Sequence, residues 1–529
     1  MQGHFVVMLH AHLPFVRHLE HEKFLEENWL FEAITETYVP LVQIIDGWLA
    51  DGIDARLTLS LSPPLCAMLQ DEQLQQRYLR HLNGLIELAE KEIHRTHWDR
   101  AFRELAWLYH HRLSDIRDTY VTHGRDLLRP FRDFQQQGIL EIATSAATHA
   151  LLPLLADDPA SLRAQILVAR DYYRECFDRD PQGIWLPECA FVEGIEKILQ
   201  EADIRWFATD THGLLQAHPR PRYGVFAPIY TTTGVAAFGR DYESAKQVWS
   251  KHEGYPGDPR YREFYRDIGF DLDLDYVKPY LPAPDIRSFT GIKYHRISGP
   301  TGEKQVYDRN AALGAADEHA SHFLRARIEQ FAKLGSIMVD CPPVVFSPYD
   351  AELFGHWWHE GPEFLNLFMR KAACDQQVFK LGTPGEYLRA LPTHQVATPA
   401  ASSWGEEGYW RVWLNESNQW IYPHLRAAQA RMTELARKFP NAGGLIERAL
   451  KQAARELLLA QSSDWPFILH TGTSPDYATR RFKEHLHRFL SLYDQLMSNE
   501  IAEDALARME AADNLFPNVN YKYWDGLGA

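Results

Sequence analysis

The chain has 529 residues, 45% hydrophobic and 24% charged, a balance that excludes a disordered chain. Nowhere is there a run of about 18 apolar residues, which excludes helical membrane spans. Lys+Arg 55 against Asp+Glu 71 leaves a formal net charge of −16, a field that repels phosphate backbones and anionic lipid but not a neutral polymer, so neither a nucleic acid nor a membrane is expected as partner.

The N-terminal segment, Met1 to Leu9, has no basic region ahead of its apolar run, so no signal peptide is expected. The cysteines, Cys66, Cys176, Cys189, Cys341 and Cys374, are odd in number and form no Cys-x-x-Cys pair. Neither a disulfide framework nor a zinc ribbon is suggested, and a reducing cytoplasmic location is expected. The high aromatic content, 12%, fits either sugar-binding platforms or a large aromatic core.

In chain order, strand-length apolar runs occur at Phe5 to Leu9, Ala55 to Leu61, Ile139 to Ala143, Ile184 to Leu186, Ile204 to Ala208, Phe226 to Tyr230 and Ile337 to Val339. Most are separated by helix-like stretches, which implies βα units and a parallel sheet, either doubly wound or closed into a barrel. Residues 71–137 switch to helical periodicity, with Leu74, Tyr78, Leu82 and Leu85 and then Phe102, Leu105, Tyr109, Leu113, Ile116 and Tyr120, and read as a helical insertion. Residues 231–305 form a long connection rich in Gly, Pro, Asp and Tyr. Helical periodicity returns around His424 to Phe439, Leu445 to Leu459 and Arg480 to Met497. A catalytic unit over 1–400 and a helical C-terminal domain over 401–529 are therefore expected.

Polar residues fall just after the apolar runs: His10 and His12, His149, Glu188, Asp210, Arg240 and Asp241, and Asp350. In a parallel barrel the loops leaving the C-terminal strand ends converge on one face. Two of these are carboxylates in apolar and aromatic settings, Glu188 in Trp185-Leu186-Pro187-Glu188-Cys189 and Asp350 in Pro348-Tyr349-Asp350-Ala351-Glu352. A single Asp or Glu is usually a solvated charge. Two at strand ends offer the nucleophile and the general acid/base that retaining glycosidic cleavage needs. His10-Ala11-His12 places two imidazoles on one side of an extended segment. With Asp210, His149 or His470 they could hold zinc on a deacetylase-like barrel, or they could hydrogen-bond substrate or the acids; spacing leaves both readings open.

His10-Ala11-His12-Leu13-Pro14-Phe15-Val16-Arg17, Ala143 to His149, Trp185 to Ala190, and Pro348 to Trp358 resemble consecutive motifs of glycoside hydrolase family 57, followed by Ser403-Trp404-Gly405 and Val412-Trp413-Leu414-Asn415. His-Ala-His-Leu-Pro and Pro-Glu-Cys-Ala resemble its 1,4-α-glucan branching subgroup more than its amylases and glucanotransferases. The resemblance implies an α/β fold, an incomplete (β/α)7 barrel with a helical insertion and an α-helical C-terminal domain, acting on α-1,4-glucan without metal or cofactor. It implies Glu188 as nucleophile and Asp350 as acid/base, with His10, His12, His149, Trp404, Trp413 and Asp464 shaping the donor sites. Asp464 lies in Gln461 to Phe467, which resembles a segment that returns an acid to the site; from the residues alone, Pro466 there would end a helix. Asp210 and Arg240 are further substrate-binding candidates. Phe270 keeps a ring where some relatives carry Trp, and Trp29 reads equally as sugar platform or helix packing. The implied function is α-1,6 branch formation, with 4-α-glucanotransferase, α-amylase, a metal-dependent deacetylase and a non-catalytic glucan-binding protein as rivals. Closure of residues 231–305 over the site is expected, through Gly234, Gly239, Gly254 and Gly257, with Tyr223, Tyr230 and Tyr242 as candidate covers.

Overall fold

The computed structural model describes residues 2–250, 253–283, 286–299 and 302–526. Its strands are β1 (Gly3–Ala11), β2 (Leu57–Leu61), β3 (Leu140–Ser145), β4 (Gly183–Trp185), β5 (Trp206–Thr209), β6 (Ile229–Tyr230), β7 (Ala236–Gly239), β8 (Val344–Asp350) and β9 (Phe379–Leu381). The sheet runs β6-β7-β5-β4-β3-β2-β1-β8, with β9 also paired to β1. Every pairing is parallel except β6 with β7. Parallel strands covered by helices are buried on both faces, which is why β1 is buried at all nine positions and reads as a continuous apolar run.

The seven parallel strands from β7 round to β8 nearly close. At the seam a single parallel bridge joins Arg240 to Phe346, and the Asp241 N–H donates to the Phe346 carbonyl at 2.8 Å. The result is an incomplete (β/α)7 barrel with one seam held by a bridge instead of a ladder.

Two strand candidates need correction. Of Phe226 to Tyr230, only the last two residues form a strand, β6, and it is antiparallel; the barrel strand is β7, inside the supposed irregular connection. Ile337 ends the helix Arg309–Ile337, and Ile337 and Val339 are 68% and 73% exposed with only Met338 between them buried, so that run is a helix end and not a strand; the last barrel strand is β8. Pro348, opposite Met8 in β8, removes a ladder donor and weakens the strand signal of that segment.

The insertion forms the helices Glu72–Arg95, Arg100–Thr122 and Leu128–Gln136. Asp71 and Asp99 cap the first two by accepting from backbone N–H groups one turn on. The C-terminal helices are Ile421–Lys438, Gly444–Ala460, Asp464–Thr471, Pro475–Ser498 and Glu503–Ala512. Pro466 sits in the first turn of the third, where a missing N–H costs nothing, so it helps start that helix and does not end one. Short bridges, Ala150 to Ser462 and Phe191 to Ser402, tie segments from beyond residue 400 to loops at the C-terminal ends of β3 and β4.

The connection 231–305 is largely pinned. Gly254 donates to Ser250 O at 2.6 Å, a Cβ there would come within 2.3 Å of that oxygen, and the Tyr255 hydroxyl lies 2.7 Å from His322 Nδ1. Of its four singled-out glycines only Gly234 takes a positive φ, 85°. Tyr223 donates to Asp340, ahead of β8, and Tyr230 pairs with Ala236, the first residue of β7. Both lie at the N-terminal strand ends, away from the converging loops, and neither can cover the site. Tyr242, 61% exposed and three residues past the end of β7, remains.

Candidate active site

The strand ends bring the predicted polar residues together. His10, near the end of β1, pairs in register with Ser60 on one side and Asp350 on the other. Its Nδ1 lies 3.1 Å from Ser60 Oγ and its Nε2 3.0 Å from His149 Nε2; His149 Nδ1 lies 3.0 Å from Ser463 Oγ. Two residues on, His12 places Nδ1 2.8 Å from Ser62 Oγ and Nε2 3.1 Å from both Asp464 oxygens. The rings of His12 and His149 stack at 3.7 Å, and His10 stacks on Trp185 at 4.9 Å. Burial holds His10 and His149 well below the usual imidazole range, with His12 acting in the same direction, so both are neutral donors and acceptors near pH 7.

Glu188 follows β4 and adopts φ 62°, with Cys189 at 51° and His149 at 55°. Left-handed backbone at non-glycine residues costs of order 1–3 kcal/mol each and persists where the surroundings enforce it. Here the Trp404 N–H donates to Glu188 O at 3.0 Å, while Trp404 Nε1–H donates to Glu188 Oε2 at 2.8 Å. His149 Nδ1 stands 3.9 Å from Glu188 Oε1. Burial pushes the Glu188 carboxyl up to about 8, against the pull of the Trp404 hydrogen bond and with help from the negative charge of Asp350 and Asp464. Burial likewise raises Asp350 to about 6, opposed by Arg240 and His12. Arg240 in turn lies over the Trp404 ring at 5.7 Å and donates to Asp210 at 3.4 Å; His212 Nδ1 is 3.0 Å from the other Asp210 oxygen.

Three aromatic candidates stand apart from Trp404. Trp413, 2% exposed, packs behind Trp404 with Leu151 and Ala190, supporting the wall instead of facing the opening. Trp29 is half-buried, edge-on to Tyr477. Phe270, 45% exposed, packs on Phe289, which touches Phe264; Phe264 stacks at 4.8 Å beneath Trp357, itself 57% exposed and seven residues past Asp350. His470 lies on Asn415 and does not join His10 and His12. Among the described residues, the one set of three possible metal ligands with atoms within 4.8 Å of one another is Glu456, His485 and Asp513, in the C-terminal helices.

Sequence reasoning missed Ser60, Ser62, Ser463, His212, Tyr38 and Glu352. The first two were legible, since they repeat on β2 the two-residue spacing of His10 and His12 on β1. Ser463 and Tyr38 reach the pocket only through tertiary packing.

Residues 6–400 match the model of glycosyl hydrolase family 57, and residues 424–524 match that of the 1,4-α-glucan branching enzyme C-terminal region. A 1,4-α-glucan branching enzyme of Thermococcus kodakarensis is 32% identical over 98% of this chain and 78% of its own length. The crystal structure of an α-amylase, AmyC of Thermotoga maritima, superposes with a TM-score of 0.93 at 44% identity, covering 99% of both chains. A family 57 branching enzyme of Pyrococcus horikoshii superposes at 0.89 and 30% identity, covering 100% of this chain and 97% of its own. The chain therefore belongs to glycoside hydrolase family 57.

Proposed function

We propose that this protein is a cytoplasmic 1,4-α-glucan branching enzyme of storage-glucan metabolism, cutting α-1,4 bonds with retention and rejoining the released segment to a 6-hydroxyl. The observation that carries the chemistry is the pairing of Glu188 and Asp350 in one pocket walled by neutral imidazoles and Trp404. Two carboxyls raised to about 8 and about 6 share one proton between those values. With glucan bound, the glycosidic oxygen accepts from Asp350, and positive charge developing at the anomeric carbon favours the Glu188 carboxylate, so the proton settles on Asp350. Glu188 then attacks the anomeric carbon while Asp350 protonates the departing oxygen, leaving a glucosyl ester on Glu188. Asp350, now a base, takes the proton from an acceptor 6-hydroxyl, whose oxygen displaces Glu188 and forms the α-1,6 bond. His10, His12, His149, Asp464, Asp210 and Arg240 would hold the donor sugars, and Phe270 and Trp29 would guide the chain outside.

The branching reading draws on the C-terminal family match and on the branching relatives. Hydrolysis is the second reading, favoured by the 44% identity to the Thermotoga maritima α-amylase. Incubating the protein with amylose and debranching the product with isoamylase decides between them. New short chains released by isoamylase support branching; reducing ends without isoamylase-sensitive bonds support an amylase.

A further inference from the structure

Glu352 lies two residues past Asp350, in the single helical turn Ala351–Leu353 that leaves β8. One of its oxygens, Oε1, accepts twice, from the buried Tyr38 hydroxyl and from the His12 backbone N–H at 3.3 Å. Tyr38 ends a five-residue π-helical turn, Ile34–Tyr38, set between two α-helices. Such turns are rare, shift every following side chain round the helix axis and recur at functional sites. Here that turn sends a phenol to a carboxylate that bonds His12 just past β1 and lies two residues past Asp350 at the end of β8.

We propose that Glu352 is a positioning residue for bond cleavage: through Oε1, gripped by Tyr38 and the His12 amide, it locks the turn carrying Asp350 against the end of β1. The same grip fixes His12, whose imidazole holds Asp464 and Ser62. No residue is assigned this role by the resemblance or by the branching mechanism above, although the proposal rests on Asp350 being the acid/base. The groups facing Glu352 are Asp350 on its own turn, His12 from β1 and Tyr38 from the π-helical turn, with Cys66 next to Tyr38. Burial and the neighbouring Asp350 raise the Glu352 carboxyl to about 8, Tyr38 opposing, so its ionisation falls on the alkaline side of the working range and places a second negative charge beside Asp350.

The test measures kcat and KM against pH for Glu352→Gln, Tyr38→Phe and the double variant, with Asp350→Asn alongside. Each single variant should lower kcat by about 10²-fold or somewhat less and raise KM only a few-fold, because the acid is misplaced while His12 is one of several donor contacts. The double variant should cost little more than either single one, since both break one unit. With glucan bound, where Asp350 keeps its proton towards pH 8 and Glu352 ionises in the same range, the alkaline limb of kcat should move to lower pH, by up to roughly one unit, because less negative charge then supports the proton on Asp350. Unshifted pH profiles together with additive losses in the double variant would overturn the proposal and leave Glu352 a packing residue. If Glu352→Gln does not fold, Tyr38→Phe carries the same two readouts. Retained turnover in Asp350→Asn would instead sink the acid/base assignment itself, which separates the two failures.

Discussion

The barrel pocket and the core of the C-terminal helices each bury acids among imidazoles, and although burial pushes Glu456 up as it does Glu188, Asp513 beside it ends with the opposite shift. In the helical core, His485 Nδ1 lies 2.8 Å from Glu456, Arg488 donates to Asp513, and Arg481 stands 3.5 Å from it. Burial alone would raise Asp513, but His485, Arg481 and Arg488 outweigh it and hold the carboxyl down, at about 2. Since burial keeps His485 neutral near pH 7, the two arginines carry that effect there. In the pocket the nearby guanidinium, Arg240, is engaged with Asp210, and Glu188 keeps only hydrogen bonds, so its carboxyl rises to about 8. A buried acid matched by arginines is a structural element; one left with hydrogen bonds alone holds a proton it can give or lose near neutral pH.

The largest effects should follow from the pocket. Asp350→Asn should lower turnover by on the order of 10²- to 10⁴-fold, and Glu188→Gln by at least as much, with unchanged far-UV circular dichroism. Azide should partly rescue Glu188→Ala with inverted product and Asp350→Ala with retained configuration, read by NMR of the released sugar. Near-normal turnover in either carboxamide variant would remove the pair from the chemistry.

The mirror-image variant lies in the helical core. Asp513→Ala strands Arg481 and Arg488 in the interior and should cost about 3–5 kcal/mol of stability, while turnover per folded molecule stays at the wild-type value. Denaturant midpoints and active-site-normalised rates check both halves. A loss of turnover without loss of stability would show that the two clusters are coupled.

The pH dependence of stability should differ in sign. Glu188 binds its proton more tightly folded than unfolded, so stability is fully present below about 4.5 and is lost as pH rises towards 8. Glu188→Gln should therefore match the wild type near pH 4 and exceed it at pH 8 by a few kcal/mol at most. Asp513 is the reverse: its contribution is present above about 3.8 and is lost as pH falls towards 2, so Asp513→Asn should approach the wild type only in acid. Melting temperatures from pH 3 to 9 test both, and parallel curves would refute the contrast.

Legibility in the sequence followed the range of the interactions. The 3.6-residue pattern marked the helices at 72–95, 100–122 and 421–438 because each buries one stripe against a neighbour. Strand β7 escaped because Ala236–Gly239 carries one large residue, Phe238, among three small ones, and its burial is decided by β5 beside it and by Val225 and Leu214 packed against Gly239. At the site, residues on strand ends could be placed by alternation alone. Tyr38 could not, because a π-helical turn has no simple spacing signature, and neither could the retreat of Trp413 behind Trp404. Tyr230 misleads because Phe226 to Tyr230 reads as a parallel barrel strand, whose last residue would point to the site end, whereas the short strand is antiparallel; nothing in the sequence places Tyr223, which precedes that run.

The smallest expected effect concerns water. A glucosyl ester on Glu188 must survive until a sugar hydroxyl arrives, and covering the intermediate is the usual protection. With Tyr223 and Tyr230 at the far end of the sheet and Gly254–Asp258 pinned by Ser250 and His322, Tyr242 is left as the exposed ring beside the seam. It opens the helix Tyr242–Trp249, whose cap Asp241 accepts from the Ser244 N–H, and it follows Arg240, the residue stacked over Trp404. That anchorage holds the backbone and leaves the ring 61% exposed. Tyr242→Ala should then raise hydrolysis relative to branching a few-fold, the equivalent of about 1 kcal/mol between two competing acceptors, without removing bond cleavage. The ratio of reducing ends to new α-1,6 linkages on amylose reads it directly. An unchanged ratio would place the exclusion of water at Trp404, whose indole already contacts Glu188 through one oxygen and shields that side of the ester.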